Sequence, residues 1–163
     1  MKTLLIVFHS RTGGARQMAE AAARAAASEP NIAVRLLPAD TAQGSDLLAA
    51  DGLIFATPEN LAALSGPMKD FFDRTYYEAL GRIEGRPYAA LICAGSDGDN
   101  AARQIARIAT GWRLRPIAEP LIVCTQAQTP EAIWAPKTIG SDDLVRCAEL
   151  GAAFAAGLDA GIF

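Results

Sequence analysis

The stretch His9-Ser10-Arg11-Thr12-Gly13-Gly14-Ala15-Arg16 holds the residue types best suited to chemistry in this chain. Hydroxyls at Ser10 and Thr12 can donate to anionic oxygens. Gly13 and Gly14 let the backbone come close to a ligand and turn its N–H groups inward. The apolar run Leu4–Phe8 precedes the stretch and the alanine-rich Ala15–Ala27 follows it. It therefore reads as the turn between a buried strand and a helix. A helix that starts there aims its dipole and its unpaired N–H groups at the same point. Together these parts make an anion site. The other reading is a plain strand-to-helix turn with hydroxyl caps. No Gly-Lys-Ser/Thr follows the glycines, so the lysine that polyphosphate binding needs is missing. The G-x-G-x-x-G spacing is missing as well. A monophosphate suits the turn better.

The elements that must position this turn follow from pattern. Ile32–Leu37 predicts a second strand, stopped by Pro38, and Gly52–Thr57 a third, stopped by Pro58. Ser65 predicts a helix cap with Pro67 in the first turn. Met68, Phe71, Phe72 and Tyr76 share one face of that helix, and Lys69, Asp70, Asp73 and Arg74 lie away from it. Tyr88–Ala94 predicts a fourth strand, Ala101–Ala109 a helix stopped at Gly111, and Leu121–Cys124 a fifth strand. Thr125–Gly140 reads as a long irregular linker, and Ser141 as the cap of a last helix with Asp142 and Asp143 in its first turn. Strands alternating with helices imply an α/β fold with a parallel sheet covered on both faces. With strand order 2-1-3-4-5, three loops converge beyond the carboxyl ends of the strands, where ligands bind in open sheets. They are the Ser10 turn, the loop from Thr57 to Lys69, and the loop from Ala94 to Asn100.

At these loops the chain resembles the flavodoxin-like superfamily, in its NADPH-dependent FMN reductase and NAD(P)H:quinone oxidoreductase branch. The resemblance rests on Ser10-Arg11-Thr12-Gly13, Thr57-Pro58, and Ser65-Gly66-Pro67-Met68-Lys69-Asp70-Phe71-Phe72-Asp73-Arg74, and spans Met1 to about Cys124. It implies a single three-layer flavodoxin-like domain over residues 1–163, with a five-stranded parallel sheet. It implies that Ser10, Arg11, Thr12, Gly13, Gly14 and Ala15 bind the FMN phosphate. Thr57, Pro58, Glu59, Asn60 and Leu61 would then run beside the isoalloxazine ring, with Ala94, Gly95, Ser96, Asp97 and Gly98 at its other edge. The family often carries a second hydroxyl where Ala15 stands, so one donor is lost, at about 0.5–1.5 kcal/mol of FMN affinity.

The implied activity is oxidoreduction. A hydride passes from NAD(P)H through bound FMN to a quinone, a flavin or a similar small acceptor, with no side chain acting as acid or base. The competing readings are a flavodoxin-type electron carrier and a flavin-free binding module. Neither ring loop carries an aromatic residue, which leaves a ring face open to a second flat molecule and favours the reductase. Arg11 is either a solvated loop residue or the cation for a nicotinamide phosphate. His9 reads as a packing or capping residue, Asp97 and Asp99 as caps of the next helix, and Trp134 as a surface residue or a lid.

Composition bounds the rest. The 163 residues are 51% hydrophobic and 20% charged with a formal net charge of −3, which suits one globular domain and gives no electrostatic reason for nucleic-acid binding. Cys93, Cys124 and Cys147 are too widely spaced for a metal site and read as reduced, buried thiols. No apolar run approaches the length of a membrane span or a signal segment, so a cytoplasmic protein is expected. The family resemblance adds a homodimer or homotetramer as the assembly.

Overall fold

In a computed structural model describing Met1–Phe163, the buried apolar runs form the strands of one sheet. The strands are β1 (Lys2–Phe8), β2 (Ile32–Pro38), β3 (Gly52–Asn60), β4 (Ala63–Leu64), β5 (Pro87–Ala94), β6 (Arg115–Pro116) and β7 (Leu121–Cys124). The helices are α1 (Gly14–Ala26), α2 (Gly44–Ala49), α3 (Gly66–Ala79), α4 (Asp99–Gly111), α5 (Pro130–Trp134) and α6 (Ser141–Asp159). The order is β2-β1-β3-β5, with β6 and β7 both pairing with the free edge of β5. The expected fifth strand thus exists in two pieces, broken between Pro116 and Pro120. All pairings are parallel except the β3–β4 hairpin.

Side chains alternate across the sheet, as the two-residue period of a strand requires. Leu5, Val7, Leu53, Phe55, Ala90 and Ile92 face α2, α3 and α4. Leu4, Ile6, Ile54, Ala56, Ala89 and Leu91 face α1 and α6. The first face is filled by aromatic rings: Phe55 meets Phe72 edge-on at 5.0 Å, and Phe72 meets Trp112 at 5.6 Å. Phe71 and Phe72 are both fully packed core residues. The second face is filled by close approach of small residues. At Gly151 of α6, an added Cβ would collide with the backbone carbonyl of Ala22 in α1.

Several boundaries differ from the sequence expectation. Pro58 does not stop β3, which runs on to Asn60 and pairs Pro58 with Cys93. The Ala56 carbonyl faces β1 and accepts from His9 N–H at 2.9 Å. By alternation the missing N–H of Pro58 falls on that same side, beyond the last residue of β1, so no ladder bond is lost. Gly111 does not stop α4; Trp112 closes the helix and Arg113 takes the left-handed turn at φ 56°. Gly111 is small because the Tyr76 hydroxyl lies where a Cβ would be. The six-residue α2 was not expected; Asp46 accepts from the Gln43 N–H at 2.8 Å to start it. Ser141 is the first residue of α6 rather than its cap, which is Gly140. The linker is not wholly irregular, since it contains α5. Cys124 is exposed, unlike buried Cys93 and Cys147. No helix is long and apolar enough to cross a membrane.

The α1–α6 contact makes a direct test. Gly151→Ala should lower stability by about 1–3 kcal/mol, as overpacking does. Gly66→Ala in α3, where nothing stands within 4 Å of the added carbon, should be neutral or stabilising. Urea midpoints of the two variants check the contrast.

Candidate functional site

The turn after β1 is built on two glycines with separate duties. Gly13 caps α1 with φ at +98°, a conformation other residues resist. Gly14 is small because the Cys93 thiol of β5 occupies the space of a Cβ. The Ser10 hydroxyl accepts from the Gly13 N–H at 3.0 Å, which leaves its own hydrogen to donate. The first intrahelical bond of α1 runs from Gln17 N–H to Gly13 C=O at 3.1 Å. The N–H groups of Gly14, Ala15 and Arg16 therefore have no acceptor within the helix.

These donors open on a cleft of about 550 Å³, within the range of small-molecule sites. Of the residues expected from sequence, Ser10, Arg11, Thr12, Gly14 and Ala15 line it on the first side. Pro58, Glu59, Asn60 and Leu61 line the second, and Ala94 and Gly95 the floor. Gly13, Thr57, Ser96, Asp97 and Gly98 do not line it. Gly13 shapes the turn. Thr57 is fully buried, and its hydroxyl lies 3.1 Å from the Ser65 hydroxyl and accepts the Ser65 N–H at 3.2 Å. Ser96 and Asp97 point to solvent, and Asp97 accepts the Asp99 N–H at 3.2 Å ahead of α4. Gly98 is the left-handed cap of α4, with Ile122 against it.

The second side is a hairpin. Asn60 pairs with Ala63, and Leu61 and Ala62 between them both have positive φ, at 50° and 60°. Such turns favour Asn and Gly, so this one is strained. It is held from α4, by Gln104 accepting the Leu64 N–H at 2.8 Å and Asn100 donating to the Ala62 carbonyl. Glu59 is one of the residues lining the cleft, and its Oε2 is buried with no hydrogen-bond partner. A carboxylate oxygen so placed is an acceptor suited to a ligand N–H.

The linker brings Trp134, read from the sequence as a surface residue or a lid, to the cleft, and it supplies residues that the sequence reading missed: Thr125, Ala127, Ile133 and Lys137, together with Cys93 of β5. Trp134 brings an aromatic ring to the cleft, although neither ring loop has one. The Arg11 guanidinium stands over that indole, 5.7 Å from its centroid. An exposed pair of this kind contributes about 0.5–1 kcal/mol. Lys137 donates its N–H to the Thr12 carbonyl at 2.8 Å. Gln17 donates to the Gly13 carbonyl at 3.0 Å and the Lys137 carbonyl at 2.7 Å, and accepts the Ile139 N–H at 3.0 Å. The only sequence signal for this strap is Trp134, the one aromatic residue between Thr125 and Gly140.

Protonation states narrow the chemistry. Burial pushes the Cys93 thiol up to about 11, only partly offset by Lys137, so it is no nucleophile at neutral pH. His9 Nδ1 lies 2.8 Å from the Ser65 hydroxyl. Burial first, then the Arg11 cation, holds the imidazole below its usual range, against a weaker upward pull from Asp40. His9 is thus a packing residue that ties the end of β1 to the cap of α3.

A parallel sheet covered by helices on both faces, with a hydroxyl-and-amide turn at its carboxyl edge, defines a flavodoxin-like fold. The chain belongs to the NADPH-dependent FMN reductase family, whose model matches residues 38–129. That stretch takes in the loops after β3 and β5, begins after the Ser10 turn and leaves out most of the strap. A flavodoxin of Aquifex aeolicus (strain VF5) is 37% identical over 98 residues, 60% of this chain and 53% of that protein. An NAD(P)H dehydrogenase (quinone) of Acidithiobacillus ferrooxidans is 35% identical over 95 residues, 46% of this chain and 48% of that protein. The chain spans about half the length of these curated relatives. A flavodoxin structure from the domain Archaea superposes with TM-score 0.78 at 20% identity, over 96% of this chain and 99% of that one. It shows the shared fold.

His9 is the sole histidine, which isolates its titration. Its folded pKa lies below the unfolded value near 6.5, so the unfolded chain binds the proton more tightly. Stability should be full above about pH 6.5, fall as pH drops toward the folded pKa, and then level off. Urea unfolding at stepped pH values between 5 and 8 checks this. His9→Asn should remove most of the slope in that window.

Proposed function

We propose that residues 1–163 form a single flavodoxin-like domain that binds FMN and carries electrons from NAD(P)H to a small acceptor such as a quinone or a free flavin. The observation that carries this reading is one cleft lined both by the donor turn after β1 and by Glu59, whose buried Oε2 has no partner. Ser10 and Thr12 hydroxyls and the N–H groups of Gly14 and Ala15 suit a monophosphate. The orphan oxygen of Glu59 suits an N–H on the edge of the flavin ring. Membership of the reductase family supports the same assignment.

The chemistry supplied by bound FMN is acceptance of a hydride and its onward delivery. The protein's share is binding and orientation. The hairpin at Asn60–Leu61 fixes one wall, and α4 stiffens it. No thiolate or free imidazole is available in the cleft to act as an acid or base. Arg11, at the rim, is the cation for a phosphate on the nicotinamide donor. A cytoplasmic homodimer or homotetramer is part of the same proposal, to be read by sedimentation.

The second reading is a one-electron carrier. It is favoured by the flavodoxin relative and by the indole at the cleft, since aromatic cover is typical of carriers. Visible absorption separates the two. FMN titrated into the protein should bind saturably, and anaerobic NADPH should bleach the bound flavin. Saturable binding that neither NADPH nor NADH can bleach indicates the carrier. Failure of FMN to bind removes both readings.

The phosphate turn yields a paired test. Ser10→Ala should weaken FMN by a factor of about 2 to 12, the value of an ordinary hydrogen bond. Ala15→Ser should tighten it by a similar factor by restoring the missing hydroxyl. Dissociation constants from flavin fluorescence check both.

A further inference from the structure

Helix α5 is a single turn, and none of its residues is buried. Its large apolar side chains, Ile133 and Trp134, are 51% and 66% exposed. Both line the same cleft as Ser10 and Glu59. The flanks of this turn are nonetheless fixed. Thr129 caps its start by accepting the Ala132 N–H at 3.2 Å. Lys137 Nζ closes its end on the carbonyls of Ala132, Ile133 and Ala135, at 2.7, 2.9 and 2.6 Å. Gln17 then pins Lys137 and Ile139 to the phosphate turn. On its other side α5 borders a second cavity of about 430 Å³, lined in part by Ala132, Ala135 and Cys124. The element is therefore tied to the Ser10 turn on its C-terminal side, borders two cavities and has no buried residue of its own.

We propose that α5 is a flap whose indole and Ile133 side chain pack on the flat aromatic ring of the ligand held at the phosphate turn. This rests on the FMN reading. With the phosphate at Ser10–Ala15, the ring must lie farther along the cleft, between the hairpin and α5. The hairpin lines the cleft with Pro58, Glu59, Asn60 and Leu61 and brings no aromatic ring to it. Trp134 is the one aromatic residue in the cleft lining. Arg11 over the indole couples the flap to the turn that receives the phosphate. An indole favours offset stacking on a second π-system, and packing there would bury the exposed pair. The cover comes from the strap after β7 rather than from either ring loop. Because no core residue holds α5, a second flat molecule can replace it at the ring face.

Hydrogen exchange on the full chain tests the flap. The Ile133 and Ala135 amides donate to Thr129 and Glu131 carbonyls at 2.8 and 3.0 Å, and report directly on α5. Saturating FMN should slow both at least tenfold, and inorganic phosphate at saturation should not. Trp134→Ala should weaken FMN about tenfold, and Trp134→Phe by threefold or less. Exchange unchanged with FMN demonstrably bound, equal slowing by inorganic phosphate, or unaltered affinity in Trp134→Ala each overturns the flap and leaves the FMN reading intact. An absence of FMN binding to the unaltered protein overturns both.

Discussion

The left-handed residue at Gly13, with φ at +98°, turns the chain leaving β1 straight into α1. Gly14 then brings the start of α1 against the Cys93 thiol of β5. A side chain at either position would push the helix away from the sheet. The N–H groups of the first helical turn would then no longer open on the cleft. The strap depends on the same turn, because Thr12 and Gly13 supply carbonyls for Lys137 and Gln17. One reversal thus sets the phosphate end of the site, the floor at Cys93 and the placement of Trp134.

The two faces of the sheet solve the packing problem differently. On the α3–α4 face, large rings interlock around Phe55, Phe72 and Trp112. On the α1–α6 face, alanines and Gly151 let helices approach almost to backbone contact. Both solutions give a stiff platform, since dense packing transmits displacement poorly tolerated by neighbours. The strained Leu61–Ala62 turn persists because α4 holds it from that platform. Against this rigidity the exposed single turn α5 is the part of the cleft with least to keep it in one place.

The site is organised for binding more than for proton transfer. Its thiol is protonated, its nearby histidine is neutral and engaged with Ser65, and its one buried side-chain oxygen without a partner is an acceptor. Under the proposed function, such a cleft would leave reactivity to the bound cofactor and restrict the protein to orientation and access. Family membership agrees with that division. The matched stretch begins at residue 38, so the phosphate turn stands on its own local chemistry.

The sequence by itself determined the layered α/β architecture, the strand order, the Ser65 cap of α3 and the glycine turn between β1 and α1. These features depend on local periodicity and on residue types acting over a few positions. It also determined most of the cleft, because loops at one sheet edge must meet once the order is set. Tertiary structure alone decided the rest. Pro58 stays within β3 because β1 has already ended beside it, and Gly111 stays within α4 because Tyr76 of α3 needs the space. Thr57 turns away from the cleft because Ser65 claims its hydroxyl. Trp134 reaches the cleft because Gln17, 120 residues from Lys137 in the chain, draws the strap onto the phosphate turn. Contacts between such distant positions leave no periodic trace in a single sequence, so only the folded chain reveals them.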